Sequence, residues 1–186
     1  MFLGVSNLPL LFRKIDHKSN WDNFRSNSPN WIDSGDVSGD LLKDLQTTNN
    51  DLSVYEVADS NLNLDKLISA MAANRQNLKP FYYILIERDT IESNNYSLAS
   101  AVGGTLSKEV NNFHINIEKL SGFKLVKLAK IFVEKSELNN TEIINRVRVG
   151  DVLEKIINSI INNEFSINKL SGKLKNKVEE KMRAMN

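Results

Sequence analysis

The chain has 186 residues, of which 41% are hydrophobic and 25% charged, and its formal net charge is +1. At that length a fold buries roughly 70% of the surface its unfolded chain exposes, so a single domain needs no covalent staple. The sequence contains no cysteine, which excludes disulfides, thiolate metal sites and cysteine nucleophiles.

The opening MFLGVSNLPLLFRKID carries a short apolar stretch broken by Asn7 and Pro9, with no basic residue ahead of it. That is not the pattern of a secretory signal. No stretch approaches the roughly 20 apolar residues that span a bilayer. A cytoplasmic protein without membrane association is the expectation, and the lack of cysteine agrees with a reducing compartment. The abundance of Asn, Ile and Lys suggests an AT-rich bacterial genome.

Residues 16–40 read as polar and loop-like, punctuated by Trp21 and Trp31, with Pro29 keeping its predecessor extended. A short helix capped by Ser38 is expected next, with Leu41, Leu42 and Leu45 on one face. The TTNND stretch at 47–51 ends it, because Asn and Asp tolerate left-handed backbone angles. Leu52, Val54, Tyr55 and Val57 then read as a strand. From a cap at Asn61 or Asn63, a helix follows in which Leu64, Leu67, Ile68 and Met71 recur at helical spacing. After Pro80 the run Phe81-Tyr82-Tyr83-Ile84-Leu85-Ile86 is apolar without alternation, which predicts a strand buried on both faces. Strand, helix and buried strand have the proportions of a βαβ unit, so 52–57 and 81–86 are expected as neighbouring parallel strands.

Ser97 to Val102 predicts a short strand closed by Gly103-Gly104, and Phe113, Ile115 and Ile117 alternate with polar residues as a further strand. A helix is expected over 123–135 through Leu125, Leu128, Ala129 and Phe132. From Thr141 the chain reads mostly as helix, with one stripe of Val152, Ile156 and Ile160. A second stripe runs through Ile167, Leu170, Leu174, Val178 and Met182 and is expected to dock on the core rather than form a coiled coil. The tetrapeptide KLSG, at 119–122 and again at 169–172, reads as two similar helix beginnings or as chance, not as a repeat. The whole describes an α/β or α+β domain: a small sheet with a βαβ unit in residues 1–140, and a mainly helical segment, 141–186, packed on it.

Groups able to do chemistry are few. His17 lies beside Asp16 with no second histidine near it, and His114 falls on the outward face of its strand, so both read first as surface or structural residues. Glu87, Asp89 and Glu92 follow the buried strand at the edge where open α/β sheets bind ligands, and two or three such oxygens suit Mg²⁺. The simpler role is the solvated exit of a strand. Asp33, Asp36 and Asp40 lack the spacing of a calcium loop and suit turns and helix starts. Gly103-Gly104-Thr105-Leu106-Ser107-Lys108 lacks the glycine spacing of a phosphate-binding loop. No Gly-x-Ser-x-Gly occurs.

Charge is uneven: residues 1–100 hold 9 basic and 13 acidic side chains, residues 101–186 hold 15 and 10. Lys124, Lys127 and Lys130 share one side of a helix, as do Lys173, Lys177 and Lys181, diluted by Glu134, Glu179 and Glu180. Three readings follow: an interaction or accessory module whose partner is another protein and which has no catalysis of its own; a nucleic-acid binder using those lysines; and a metal-dependent enzyme using Glu87 and Asp89 with His114 or a lysine. The first is the expectation, with no cofactor.

Overall fold

A computed structural model describes residues 9–26, 37, 39–57, 64–138 and 144–185. They form a mixed α/β fold around a six-stranded, wholly antiparallel sheet. In chain order the elements are β1 (Leu10–Ile15), α1 (Lys18–Ser26), a 3₁₀ turn (Leu41–Lys43), β2 (Leu52–Val57) and α2 (Leu64–Ala73). They continue with β3 (Phe81–Glu87), α3 (Arg88–Ser93), β4 (Ser97–Ser100), α4 (Lys108–Asn111), β5 (His114–Glu118) and α5 (Gly122–Leu138). The chain ends with β6 (Asn145–Val147), α6 (Val149–Ile161), a 3₁₀ turn (Ile167–Lys169) and α7 (Gly172–Arg183). The strand order is β4-β5-β2-β1-β3-β6.

The sheet separates two cores, and the period-two geometry of its strands decides which residue serves which. Along β3, Phe81 and Tyr83 enter one core while Ile84 and Ile86 enter the other, as the unbroken apolar run predicts. The first core holds Leu11, Val54, Ile115 and Ile117 under α5 and the 41–45 segment, with Trp21 of α1 at one end. The second holds Phe12 and Tyr55 under α2, α6 and α7. Leu170, Leu174 and Val178 lie in this second core, so the C-terminal stripe docks on the domain. Each KLSG segment does open a helix, Ser121 before α5 and Ser171 before α7, and the two helices lie on opposite sides of the sheet.

Three expectations need correction. Residues 52–57 and 81–86 lie in one sheet and are joined by a helix, but they are not neighbours. β1 lies between them, antiparallel to both, pairing Leu10–Phe12 with β2 and all of Leu10–Ile15 with β3. The crossover therefore spans two strand spacings, about 10 Å, instead of one. Residues 16–40 are not all loop, since α1 runs over 18–26, and the helix expected near residue 41 is a three-residue 3₁₀ turn. The C-terminal segment, though mainly helical, also supplies β6, which pairs with Phe81–Tyr83. The turn at TTNND is as expected: Thr48 and Asp51 exchange backbone hydrogen bonds around Asn49 and Asn50, at φ 54 and 65, the two left-handed residues of a tight hairpin. Ser38, Pro29, Trp31, Asp33, Asp36, Asn61, Asn63 and Thr141 lie outside the described residues.

The turn from β1 into α1 is held from a distance by Asp44. Its carboxylate, 3% exposed, accepts from the backbone N–H groups of Asp16 (2.9 Å) and His17 (3.1 Å), from Trp21 Nε1 (3.0 Å) and from His17 Nδ1 (3.1 Å). Arg13 grips the same residue by its carbonyl oxygen through Nε (3.1 Å) and Nη2 (2.7 Å), and donates Nη1 to the Ser53 carbonyl (2.8 Å). Burial lowers the Arg13 pKa, against the pull of Asp44 and Asp16. A buried carboxylate with four donors is stable only while all four face it. Asp44→Ala strands those donors and is expected to cost about 3 kcal/mol or more in urea unfolding. Asp44→Asn, which keeps an accepting oxygen, costs less.

Candidate functional site

The acidic residues after β3 are spent locally. Arg88 donates Nη1 to Glu56 Oε2 at 2.7 Å and Nε to Glu92 Oε1 at 3.0 Å, and Thr90 Oγ1 reaches Glu87 Oε2 at 3.4 Å. Asp89 is exposed. His114 cannot join them: β2 and β1 stand between β5 and β3, a separation of three strand spacings, about 14 Å. Among the described residues no three His, Asp or Glu side chains are placed to hold a metal.

His114 is buried, at 9% exposure, and does not face outward. Its alternating neighbours Ile115 and Ile117 enter the first core, so the ring falls on the opposite face, 4.9 Å from the Tyr55 ring. Phe113 precedes the strand and packs at the margin of the second core, where residues of the other face belong. Burial pushes the His114 imidazole below its ordinary value, opposed by a backbone hydrogen bond to Ala101, and Nδ1 has no partner.

The glycine loop is a closed structural turn. Asn111 Oδ1 accepts from Thr105 N and Thr105 Oγ1, both at 2.8 Å, and its amide donates to Thr105 O at 3.1 Å. The loop passes so close to α4 that a Cβ on Gly103 would stand 2.8 Å from Asn111 Oδ1 and 2.9 Å from Asn111 Cα. The two lysine sets are held apart. Leu128, Ala129 and Phe132 seat α5 on the first core, and Leu174 and Val178 seat α7 on the second. Lys124, Lys127 and Lys130 thus belong to one side of the sheet, and the exposed Lys173, Lys177 and Lys181 to the other.

Two features had no clear signal in the sequence. One is a cleft of about 530 Å³ at the end of β1, lined by Lys14, Asp16, His17, Arg75, Lys79 and Tyr82 among others. The other is the contrast between the sheet edges. β6 is short and reads Asn145-Arg146-Val147 with Arg148 following, so charge guards it. β4 and its continuation read Ser97-Leu98-Ala99-Ser100-Ala101-Val102, without a charge or a proline. Ala101 N–H bonds His114 O at 3.0 Å; by the alternation of an antiparallel ladder, the N–H and C=O groups of Leu98 and Ser100 therefore point away from β5. No described strand pairs with that side. Val102, 92% exposed, extends the edge.

No helix among the described residues is long and apolar enough to cross a membrane. Set against known protein families, curated proteins and solved structures, the chain matches none of them.

Two outcomes test these assignments. Because burial holds the folded His114 pKa below its ordinary value of 6.5, its protonation favours the unfolded chain. Its share of stability is complete above pH 6.5 and is lost as pH falls from there through the lower folded pKa. Thermal melts of the wild type over that window should fall more steeply than those of His114→Gln. Gly103→Ala forces backbone to move and is expected to cost about 1–3 kcal/mol in denaturant unfolding.

Proposed function

We propose that the protein is an interaction module that binds another polypeptide by strand addition along the open edge of β4. The unguarded edge carries this reading. Natural sheets shield such edges with lysine, proline, bulges or a covering element, since unpaired N–H and C=O groups recruit any extended chain. Here β6 is guarded and β4 is not. An extended partner segment would take its main-chain hydrogen bonds from Leu98 and Ser100 and lay an apolar side chain against Val102, the division of labour of β-augmentation. Catalysis is not required by this reading.

The alternative of nucleic-acid binding draws no comparable support, because its lysines sit on opposite sides of the sheet, away from one shared phosphate track.

Ser100→Pro tests the edge directly. Proline removes only an outward N–H there and leaves the ladder to β5 intact, so the melting temperature should change little. Purified from its own cells, the wild-type chain should retain a polypeptide in fixed stoichiometry. Ser100→Pro should lose it and Val102→Asp should weaken it at least tenfold. The triple change Lys173→Glu, Lys177→Glu and Lys181→Glu should leave it bound. Retention by Ser100→Pro overturns the reading. So does tight DNA or RNA binding, steeply salt-dependent, that the lysine variant abolishes.

A further inference from the structure

We propose that the cleft at the end of β1 binds a small ligand through a phosphate monoester group. This stands apart from the β4 edge and does not depend on it.

The argument starts from Arg75. It follows the last turn of α2, with its N–H bonded to Ala72 O at 3.0 Å. Its own carbonyl and that of Gln76 accept from Ser171 Oγ at 3.2 and 3.0 Å, so α7's first residues pin the loop. The guanidinium carbon stands 4.6 Å from the centre of the Phe81 ring, and Nη1 donates to Pro80 O at 3.1 Å. The side chain is only 17% exposed. A guanidinium has five N–H donors in a rigid fork, and this one, fixed and largely desolvated, spends one among the described residues. Its other contact, Nη2 to Asp16 Oδ1, is 3.7 Å, too long for a hydrogen bond. Arg75 lines the cleft.

Two ammonium groups beside it share its sign. Lys14 lines the cleft from β1 and Lys79 from the loop before β3; Lys79 is exposed and has no ion pair among the described residues. His17 turns Nδ1 to the buried Asp44 carboxylate at 3.1 Å, which fixes the ring where it lines the cleft. Against these stands one carboxylate inside the cleft. Asp16 bonds Lys14 Nζ at 2.9 Å and hangs near Arg75, and is itself 52% exposed. It lies between the two cations where an incoming oxyanion would sit, and it can turn into water at little cost. Asp16 is thus the resident counter-ion that a ligand replaces.

A dianion with three oxygens suits a fork and two ammonium groups better than a carboxylate does, because each oxygen finds its own donor. A cavity of about 530 Å³ lies in the range of small-molecule sites, roughly 300–1,000 Å³. Tyr82 and Pro80 give it an apolar wall, which favours an ester with an organic group over the bare ion.

Calorimetric titration of the full chain at low salt tests the site, with inorganic phosphate, phenyl phosphate and a short single-stranded oligonucleotide as probes. Phenyl phosphate should bind the wild type, and more tightly than inorganic phosphate. Arg75→Gln and Lys79→Ala should each weaken it at least tenfold, the second from an exposed position where folding is not at stake. Asp16→Asn should tighten it several-fold by removing the competitor. A wild type that binds neither phosphate overturns the proposal, as does Lys79→Ala or Asp16→Asn binding phenyl phosphate like the wild type. Weaker binding by Asp16→Asn would mean that the carboxylate builds the site, and stronger binding of the oligonucleotide would reassign it to phosphodiesters.

Discussion

Asp44 is the constraint from which the rest of the structure follows. A carboxylate removed from water must be met by donors, and the four it finds come from both sides of the turn between β1 and α1. Two are backbone N–H groups at 16 and 17, one is the Trp21 indole and one the His17 ring. Arg13, from within β1, closes on the carbonyl of the same residue. The segment around residue 44 is thereby locked across the end of β1, and the fully buried Trp21 is drawn into the first core beside Phe132, with ring centroids 6.1 Å apart. Partial satisfaction of such a network would be worse than an apolar core, which ties the strand, the turn, the helix and the 3₁₀ segment into one unit.

With β1 anchored this way, the sheet grows outward from it. β2 and β3 run in the same direction because each is antiparallel to the strand between them. Each face then needs its own cover. The helices divide accordingly, α5 to one side and α2, α6 and α7 to the other. This division separates the two lysine-rich helices. It also leaves the sheet with two ends of different character, one short and flanked by arginine, the other neutral and unpaired among the described strands.

The same turn that Asp44 holds places Lys14, Asp16 and His17 on the rim of the cleft, opposite the loop carrying Arg75 and Lys79. The arginine stacked on Phe81 is held rigidly without being saturated among the described residues. Rigid, under-used donors are what preorganised recognition requires. The edge of β4 lies on the far side of β5 and β2 from β1, so a peptide on that edge and a small anion in the cleft would not compete for the same groups.

Read alone, the sequence determined the parts whose signals are local. The strands at 52–57 and 81–86, the alternation of Ile115 and Ile117 and the helices through Leu67, Leu128, Ile156 and Leu174 all follow from periodicity, because side chains at fixed spacing must share a face. The Asn49-Asn50 turn follows from backbone tolerance. β1 was hidden because Arg13 occupies an inward position between Leu11 and Ile15, so its alternation looks broken until the carbonyls of Asp44 and Ser53 are seen to receive the guanidinium. His114 lies on the face that alternation assigns it, but that face is buried instead of outward, because the second layer of helices makes it an interior too. The order of the strands, the gap between the lysine sets and the convergence of Asp44 with His17, and of Arg75 with Lys14, depend on partners far apart in the chain, Leu10 with Glu87 among them. No local pattern encodes such distances, because they are set when helices cover both faces of one sheet and every buried polar group must find its partner.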